Sequence, residues 1–396
     1  MKGKVDTRPF TFIWNFNMKT KILYLDHTPF AGGAQFVLAD HIACLNKEEF
    51  EPVVVCSNTT PTLIDTYKQS GARVVTIDFG KLKILNPLAL KRLWQAVLDL
   101  NNIILSEKPQ ILVTNTVRAH IVGSISAKQL KIPLIWILRD YTFPRVLLTL
   151  LKNLPVKIFT VSSELVNYYR LAQSGKTETI FVGTNFDNRL KSVKTEQINV
   201  RKKELNIGPD TPVIGYVGRL VTWKGAQILV RAMVEVIKTY PKAKAIIIGS
   251  GSGQDDSNES ELMGLTKMCH LENNVVFLGF VPPRNLTTYF RLFNIFTHTS
   301  IEPEPFATVV VQAMMAKVPV IGTELGGTPE IITDQKNGLL IAPDEPHQLA
   351  VAIMSLLSNH TLRNNIIEKA YSSVYPKLTE SSVTKKMEGI FKEVLV

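Results

Sequence analysis

Cysteine is scarce. Only Cys44, Cys56 and Cys269 occur among 396 residues. Their wide spacing fits neither a disulfide framework nor a zinc site, so they read as reduced thiols in a reducing compartment. Long apolar runs are also missing, since none reaches the roughly 18–20 residues of a membrane-spanning helix. Met1 to Asn17 carry Phe10, Phe12, Trp14 and Phe16 but no long apolar core and no small-residue cleavage site, which makes a poor signal peptide. They read as a flexible extension before a second start-like Met18. No nucleic-acid-binding motif is visible, although the formal net charge is +11. A basic balance without such a motif points to an anionic substrate or an anionic membrane surface.

What is present is regular. A chain of this length suggests two domains. Near-continuous apolar runs at Lys21–Leu25, Val53–Val55, Arg73–Ile77, Ile111–Thr114, Leu134–Leu138 and Ile158–Val161 read as strands buried on both faces. Helix-like segments lie between them. The alternation loosens between Phe186 and Pro212, where Arg189, Lys191, Lys194, Arg201, Lys202 and Lys203 cluster. It restarts with Val213–Val217, Ala245–Ile248, Val275–Leu278, Ile295–His298, Val318–Ile321 and Leu339–Ile341. The expected fold is therefore α/β, with two Rossmann-like doubly wound domains facing a cleft. The expected boundaries are an extension over 1–17, a first domain over 18–190, a linker with a short helix over 191–210 and a second domain over 211–376. A terminal helix follows over 377–396.

Ligands of doubly wound sheets bind beyond the carboxyl ends of the strands. At one such end, after Ile295–His298, come Glu302-Pro303-Glu304-Pro305-Phe306-Ala307, then a helix through Gln312-Ala313-Met314, then Gly326-Gly327-Thr328-Pro329-Glu330. A helix start near Phe306, Ala307 and Thr308 presents free N–H groups to a phosphate, and Glu304 beside it can accept bonds from sugar hydroxyls. Gly215-Tyr216-Val217-Gly218-Arg219-Leu220 precedes Trp223-Lys224-Gly225. There Arg219 and Lys224 are placed to neutralise a departing diphosphate. Gly32-Gly33-Ala34-Gln35 follows the first strand, and Gly249-Ser250-Gly251-Ser252-Gly253 follows Ala245–Ile248. The latter is not a dinucleotide fingerprint, which argues against an NAD oxidoreductase.

This set resembles the signature of retaining glycosyltransferase family four, the group 1 glycosyltransferases. The resemblance runs from about Lys21 to Asn359 and is most specific from Val213 to Ala342. It implies the two-Rossmann fold called GT-B, with the terminal helix crossing back to the first domain. It also implies metal-independent transfer of a sugar from a UDP- or GDP-linked donor, with retention at the anomeric carbon and no cofactor. Glu304, Arg219, Lys224 and Asp140 take the catalytic positions. Gly33, Arg139, Gly218, Gly249, Gly251, Val281, Phe306, Ala307, Thr308 and Gln312 take the donor-binding ones, with Gln312 at the ribose and the backbone near Val281 at the base. The family's second glutamate is Gln312 here, which predicts ribose binding weaker by about tenfold. Gln35 also replaces a glutamate, and Arg139-Asp140 stands where many members have His-Asp or His-Glu. Asn185-Phe186-Asp187 resembles the turn into the linker. His120 reads as structural, and His27 stays open between site and structure.

The expected partners are the nucleotide-sugar donor and a glycan, lipid-linked or small-molecule acceptor. Two basic, apolar stretches, Lys81–Trp94 and Phe143–Lys157, read either as packed helices or as contacts with anionic membrane. The expected location is the cytoplasm, with the inner membrane face as a peripheral site. Two other readings share this architecture: a non-hydrolysing UDP-sugar epimerase and a non-catalytic sugar-nucleotide binder.

Overall fold

The computed structural model describes residues 19–28, 32–58, 61–79, 87–172, 175–251 and 257–396. The readings placed on Met1–Asn17, on Lys81 and Lys83, and on Ser252-Gly253 lie outside these residues. Seven parallel strands form the first sheet: β1 Thr20–Asp26, β2 Phe50–Ser57, β3 Arg73–Ile77, β4 Ile111–Thr114, β5 Leu134–Leu138, β6 Lys157–Thr160 and β7 Thr177–Thr179. Their order is β3-β2-β1-β4-β5-β6-β7. Six more form the second sheet: β8 Val213–Val217, β9 Lys244–Ile248, β10 Val275–Phe277, β11 Ile295–His298, β12 Val320–Thr323 and β13 Leu339–Ile341, ordered β10-β9-β8-β11-β12-β13. Every pairing is parallel. In each sheet the chain starts centrally, winds outward to one edge and then switches to the other side. That switch opens a crevice at the carboxyl ends.

The strands are apolar because both faces are covered. In β1, Ile22 and Tyr24 pack with Leu38, Ile42 and Phe391 on one side. Leu23 and Leu25 pack with Val97 and Leu100 on the other. A further cluster runs from Trp136, Leu148 and Ile158 through Phe186 and Leu190 to Phe290, Phe293 and Phe296. It ties the first sheet to the second. Burial pushes the Cys56 thiol up to about 12 and the Cys44 thiol up to about 11, far from a reactive thiolate. His120 is buried, stacks on Trp136 at 3.9 Å between ring centroids and bonds Thr114 Oγ1 through Nδ1 at 2.8 Å. Burial lowers its pKa to about 3, and its role is structural.

The segment between the sheets holds two helices, Phe186–Lys191 and Thr195–Glu204, where one was expected. The last helix, Glu380–Leu395, leaves the second sheet and packs on the first. Phe391 meets Phe50 edge-on at 6.1 Å, and His41 Nδ1 bonds Thr384 Oγ1 at 2.9 Å. The two chain crossings touch. Thr184 N donates to Leu378 O at 3.1 Å, and Glu380 N donates to Thr184 O at 3.0 Å.

Glu380 opens the crossing helix and is only 2% exposed. Burial, with Asp40 nearby, pushes its carboxyl up to about 8, against the pull of Arg139, the Thr384 hydroxyl and Arg189. The ordinary value is 4.5. The folded chain therefore keeps a proton that the unfolded chain loses between these two values. This contribution to stability is fully present below pH 4.5 and is lost as pH rises through 8. Thermal unfolding of Glu380→Gln against pH should show the variant gaining on the native chain across that window. The gain should approach about 1.4 kcal/mol per pH unit; parallel curves would remove Glu380 as its source.

Candidate active site

The carboxyl ends of the two sheets face each other. Ser163 and Glu164 follow β6 and are bonded by Glu330, which follows β12. Phe181 follows β7 and stacks on Phe306, which follows β11, at 5.7 Å and 23°. Between these contacts lies a concentration of buried charge.

Glu304 is its centre. It is 7% exposed, which would cost several kcal/mol for an unpaired carboxylate. Three donors compensate. Lys224 Nζ bonds Oε2, the Ser300 hydroxyl donates to Oε1, and His298 Nε2 lies 2.9 Å from Oε1. Burial works to raise the carboxyl's pKa, but His298 and Lys224 outweigh it and hold it well below the usual carboxylate range. Glu304 is therefore a fixed anion. A carboxylate offers about four acceptor sites. Among the described residues three are taken, and the one that remains is on Oε2.

The backbone around Glu304 is held by the Gly-Gly turn. Gly327 N donates to Glu304 O at 2.7 Å. Gly326 has φ +59°, and a Cβ on it would lie 2.4 Å from Glu304 O; one on Gly327 would lie 2.1 Å from Pro305 O. Only glycines permit this approach. A similar contact joins the nucleotide-side loops. Gly249 has φ +148°, its missing Cβ would fall 1.8 Å from Gly218 O, and its N–H donates to Gly279 O at 2.9 Å. Leu220 N reaches Ser250 O at 3.0 Å. The loops after β8, β9 and β10 thus form one backbone-lined floor, with Gly251 and half-buried Val281 on its rim.

Trp223 organises the basic pair. Lys224 Nζ lies 4.8 Å from its ring centroid and the Arg219 guanidinium 5.5 Å. Arg219 is exposed and Lys224 half-buried. Helix Thr308–Met315 starts beside Glu304 with Ala307 as its cap residue. Half-buried Gln312 lies within it, and its Oε1 is shielded from solvent with no hydrogen-bond partner among the described residues. A buried amide oxygen without a partner is costly, and a ligand hydroxyl would satisfy it. Thr308 is half-buried at the helix start, and Phe306 and Ala307 are buried.

The first-domain candidates are placed differently. Arg139 Nε donates to Asn115 Oδ1 at 2.7 Å, and Asn115 Nδ2 donates to buried Asp26 at 3.0 Å. Asp26 also accepts from Gln35 Nε2, the Tyr67 hydroxyl and Thr28 N at 2.9–3.0 Å. Arg139 therefore belongs to an internal polar network rather than standing alone toward the cleft. This network also explains Gln35, whose amide donates to a carboxylate that a glutamate there would repel. Asp140 Oδ1 accepts from Thr142 N at 2.9 Å and from Thr142 Oγ1 at 2.6 Å, shaping its own loop. His27 Nδ1 pairs with Thr116 Oγ1 at 2.6 Å. A side chain on Gly33 would meet no described residue within 4 Å. Sequence reasoning missed His298 and Ser300 as partners of Glu304. Their only signal was position, a histidine closing an apolar strand just before the glutamate. Among the described residues, no three His, Cys, Asp or Glu side chains gather as a metal site.

Residues 197–373 match the family model described as glycosyl transferases group 1. Over this segment the chain is similar to the group 1 glycosyltransferases. Similar proteins include an uncharacterized glycosyltransferase of Methanocaldococcus jannaschii, 32% identical over 220 residues, covering 55% of this chain and 54% of that one. A D-inositol 3-phosphate glycosyltransferase of Corynebacterium jeikeium is 35% identical over 195 residues, covering 49% and 46%. The chain spans about half the length of these curated relatives. The crystal structure of Anabaena HepE in complex with UDP and glucose superposes with a TM-score of 0.80 at 24% identity, covering 94% of this chain and all of that one. That likeness shows the GT-B fold.

The ion pair at the centre carries a testable consequence. Lys224→Ala leaves a buried carboxylate short of its cation and should cost about 3 kcal/mol in denaturant unfolding. Adding Glu304→Gln should return most of that loss. A double variant no more stable than Lys224→Ala would show that the pair is not coupled.

Proposed function

We propose that the chain transfers a sugar from a nucleoside diphosphate sugar, with retention and without a metal. The supporting observation is the fixed Glu304 anion with one acceptor site to spare, set beside Lys224 in the segment similar to the group 1 glycosyltransferases. In this reading, Glu304 Oε2 accepts a bond from a donor-sugar hydroxyl. Gln312 Oε1 accepts from a ribose hydroxyl. Arg219, Lys224 and the start of helix Thr308–Met315 compensate the charge of the departing diphosphate. The loops at Gly218, Gly249, Gly251 and Val281 take the nucleotide on backbone groups. The leaving phosphate helps to deprotonate the acceptor hydroxyl, which enters from the side of Asp140. Because the HepE structure holds UDP and glucose, UDP-linked sugars are the first donors to test, ahead of GDP-linked ones.

The acceptor is a glycan, a lipid-linked sugar or a small molecule, met on an anionic membrane surface. Leu90, Trp94 and Leu98 recur every four residues on helix Pro87–Glu107 and are exposed beside Lys91 and Arg92. Val146 and Leu150 are 79% and 70% exposed on helix Arg145–Leu151 beside Arg145 and half-buried Lys152. Leu100 packs in one cluster with Leu134, and Leu148 in another with Trp136. Leu134 and Trp136 are two apart on β5, so both helices cover one face of the sheet. Basic side chains beside exposed apolar ones suit an anionic lipid surface. No helix among the described residues is long and apolar enough to cross a membrane.

Thermal unfolding with a panel of nucleoside diphosphates and their sugars tests the donor site. At about 100 times Kd, one base should add roughly 2.7 kcal/mol. Glu304→Ala should keep the nucleotide's shift and lose both the increment due to the sugar and transfer activity. No shift with any nucleotide would overturn the reading. Co-sedimentation with anionic liposomes at low salt, lost in Trp94→Glu with Leu150→Glu, tests the surface; no sedimentation of the native chain would overturn it.

A further inference from the structure

Glu330 closes the Gly-Gly turn, yet the donor chemistry above gives it no task. Its carboxylate reaches across to the other domain. Oε2 accepts from Ser163 N and Oε1 from Glu164 N, each at 2.8 Å. These are the first two residues of helix Ser163–Tyr169, whose cap Ser162 accepts through its side chain from Leu165 N. The first N–H groups of a helix have no partner within it, and here a side chain of the opposite domain supplies one.

Both ends of this bridge are anchored at the site. On one side, Glu330 follows the glycines that rest on the Glu304 backbone, with Gly327 N bonded to Glu304 O at 2.7 Å. On the other, helix Ser163–Tyr169 ends in Tyr169, whose hydroxyl accepts from Phe143 N at 3.2 Å and donates toward Phe143 O at 3.1 Å and Asp140 O at 3.3 Å. Bonds therefore link Glu304 to Gly327, Gly327 to Glu330 and Glu330 to Ser163 and Glu164, and the body of the short helix carries the path on to Tyr169 and the Asp140 loop. Tyr141, in that loop, lies close enough to Glu164 and Glu330 for their charges to help raise its hydroxyl pKa, after burial.

We propose that Glu330 is the latch of domain closure, a positioning residue that docks the donor carboxylate's loop onto the helix supporting the acceptor-side loop. It touches no reacting atom. It sets the fraction of molecules in which the two halves of the site meet. The kinetic part of this proposal rests on the glycosyltransferase reading above; the structural part does not.

Hydrogen exchange and small-angle scattering of the full chain test the structural part without any substrate. In Glu330→Ala, the Ser163 and Glu164 amides should exchange faster and the radius of gyration should rise. In transfer assays the variant should lose about tenfold in kcat. The nucleotide-induced melting shift should stay unchanged, because the nucleotide loops are untouched. Glu330→Gln, which keeps one acceptor, should recover part of the loss. Ser163→Pro removes one N–H from the other side at a position where proline suits a helix start, and Ser162 before it is extended at φ −156°, ψ 158°, as a residue before proline requires. It should reproduce the kcat loss and add little to Glu330→Ala, because both break one contact. Unchanged exchange at Ser163 and Glu164 with an unchanged radius would overturn the latch, and so would full additivity of the two variants. A native chain that transfers no sugar but shows the exchange effect would overturn the glycosyltransferase reading and leave the latch standing.

Discussion

The buried charge of Glu304 is the constraint around which the second domain is arranged. A carboxylate with so little exposure can stay ionised only where donors are already in place. Each donor comes from a different piece of chain: Lys224 from the loop after β8, His298 from the end of β11, Ser300 from the loop beyond it. None of these loops can shift without exposing an unpaired charge. The glycines at 326 and 327 then fix the remaining degree of freedom, because their backbone lies where any side chain would collide with Glu304 or Pro305. A preorganised anion of this kind spends no energy on reorganisation when a ligand arrives.

Much of the fold was legible because two-sided burial writes itself as apolar runs. β1, β4, β5 and β8 are of that type, and their positions follow from the sequence with small shifts at the ends. The missed elements lack that signature. β7 is Thr-Glu-Thr at a sheet edge, half-buried throughout, and no hydrophobic period marks it. Helix His360–Val374 buries only Ile366, Ala370 and Val374, a single narrow stripe that short-range reading passes over. The linker's expected short helix is Thr195–Glu204, which buries no residue fully but packs through half-buried Ile198 on the cluster joining the sheets; the helix before it, Phe186–Lys191, is the one the sequence did not show.

The site divides along the same line. Glu304, the Gly-Gly turn, Lys224 and Gly249 are readable because each depends on a local pattern. The partners His298 and Ser300, the capping contact of Glu330 and the network from Arg139 through Asn115 to Asp26 depend on which strand ends become neighbours. Only the sheet order decides that. Gln35 shows the limit well. As a letter it is a departure from a family pattern, while in the structure it is the amide that a buried Asp26 requires.

The chain passes between the domains twice, and the two passages are bonded to each other through Thr184, Leu378 and Glu380. Two passages bonded to each other hold the domains together at one place, so any opening of the cleft must be smallest there and widest away from it. That much of the register between the two halves is set by the route of the backbone before any side chain crosses the gap.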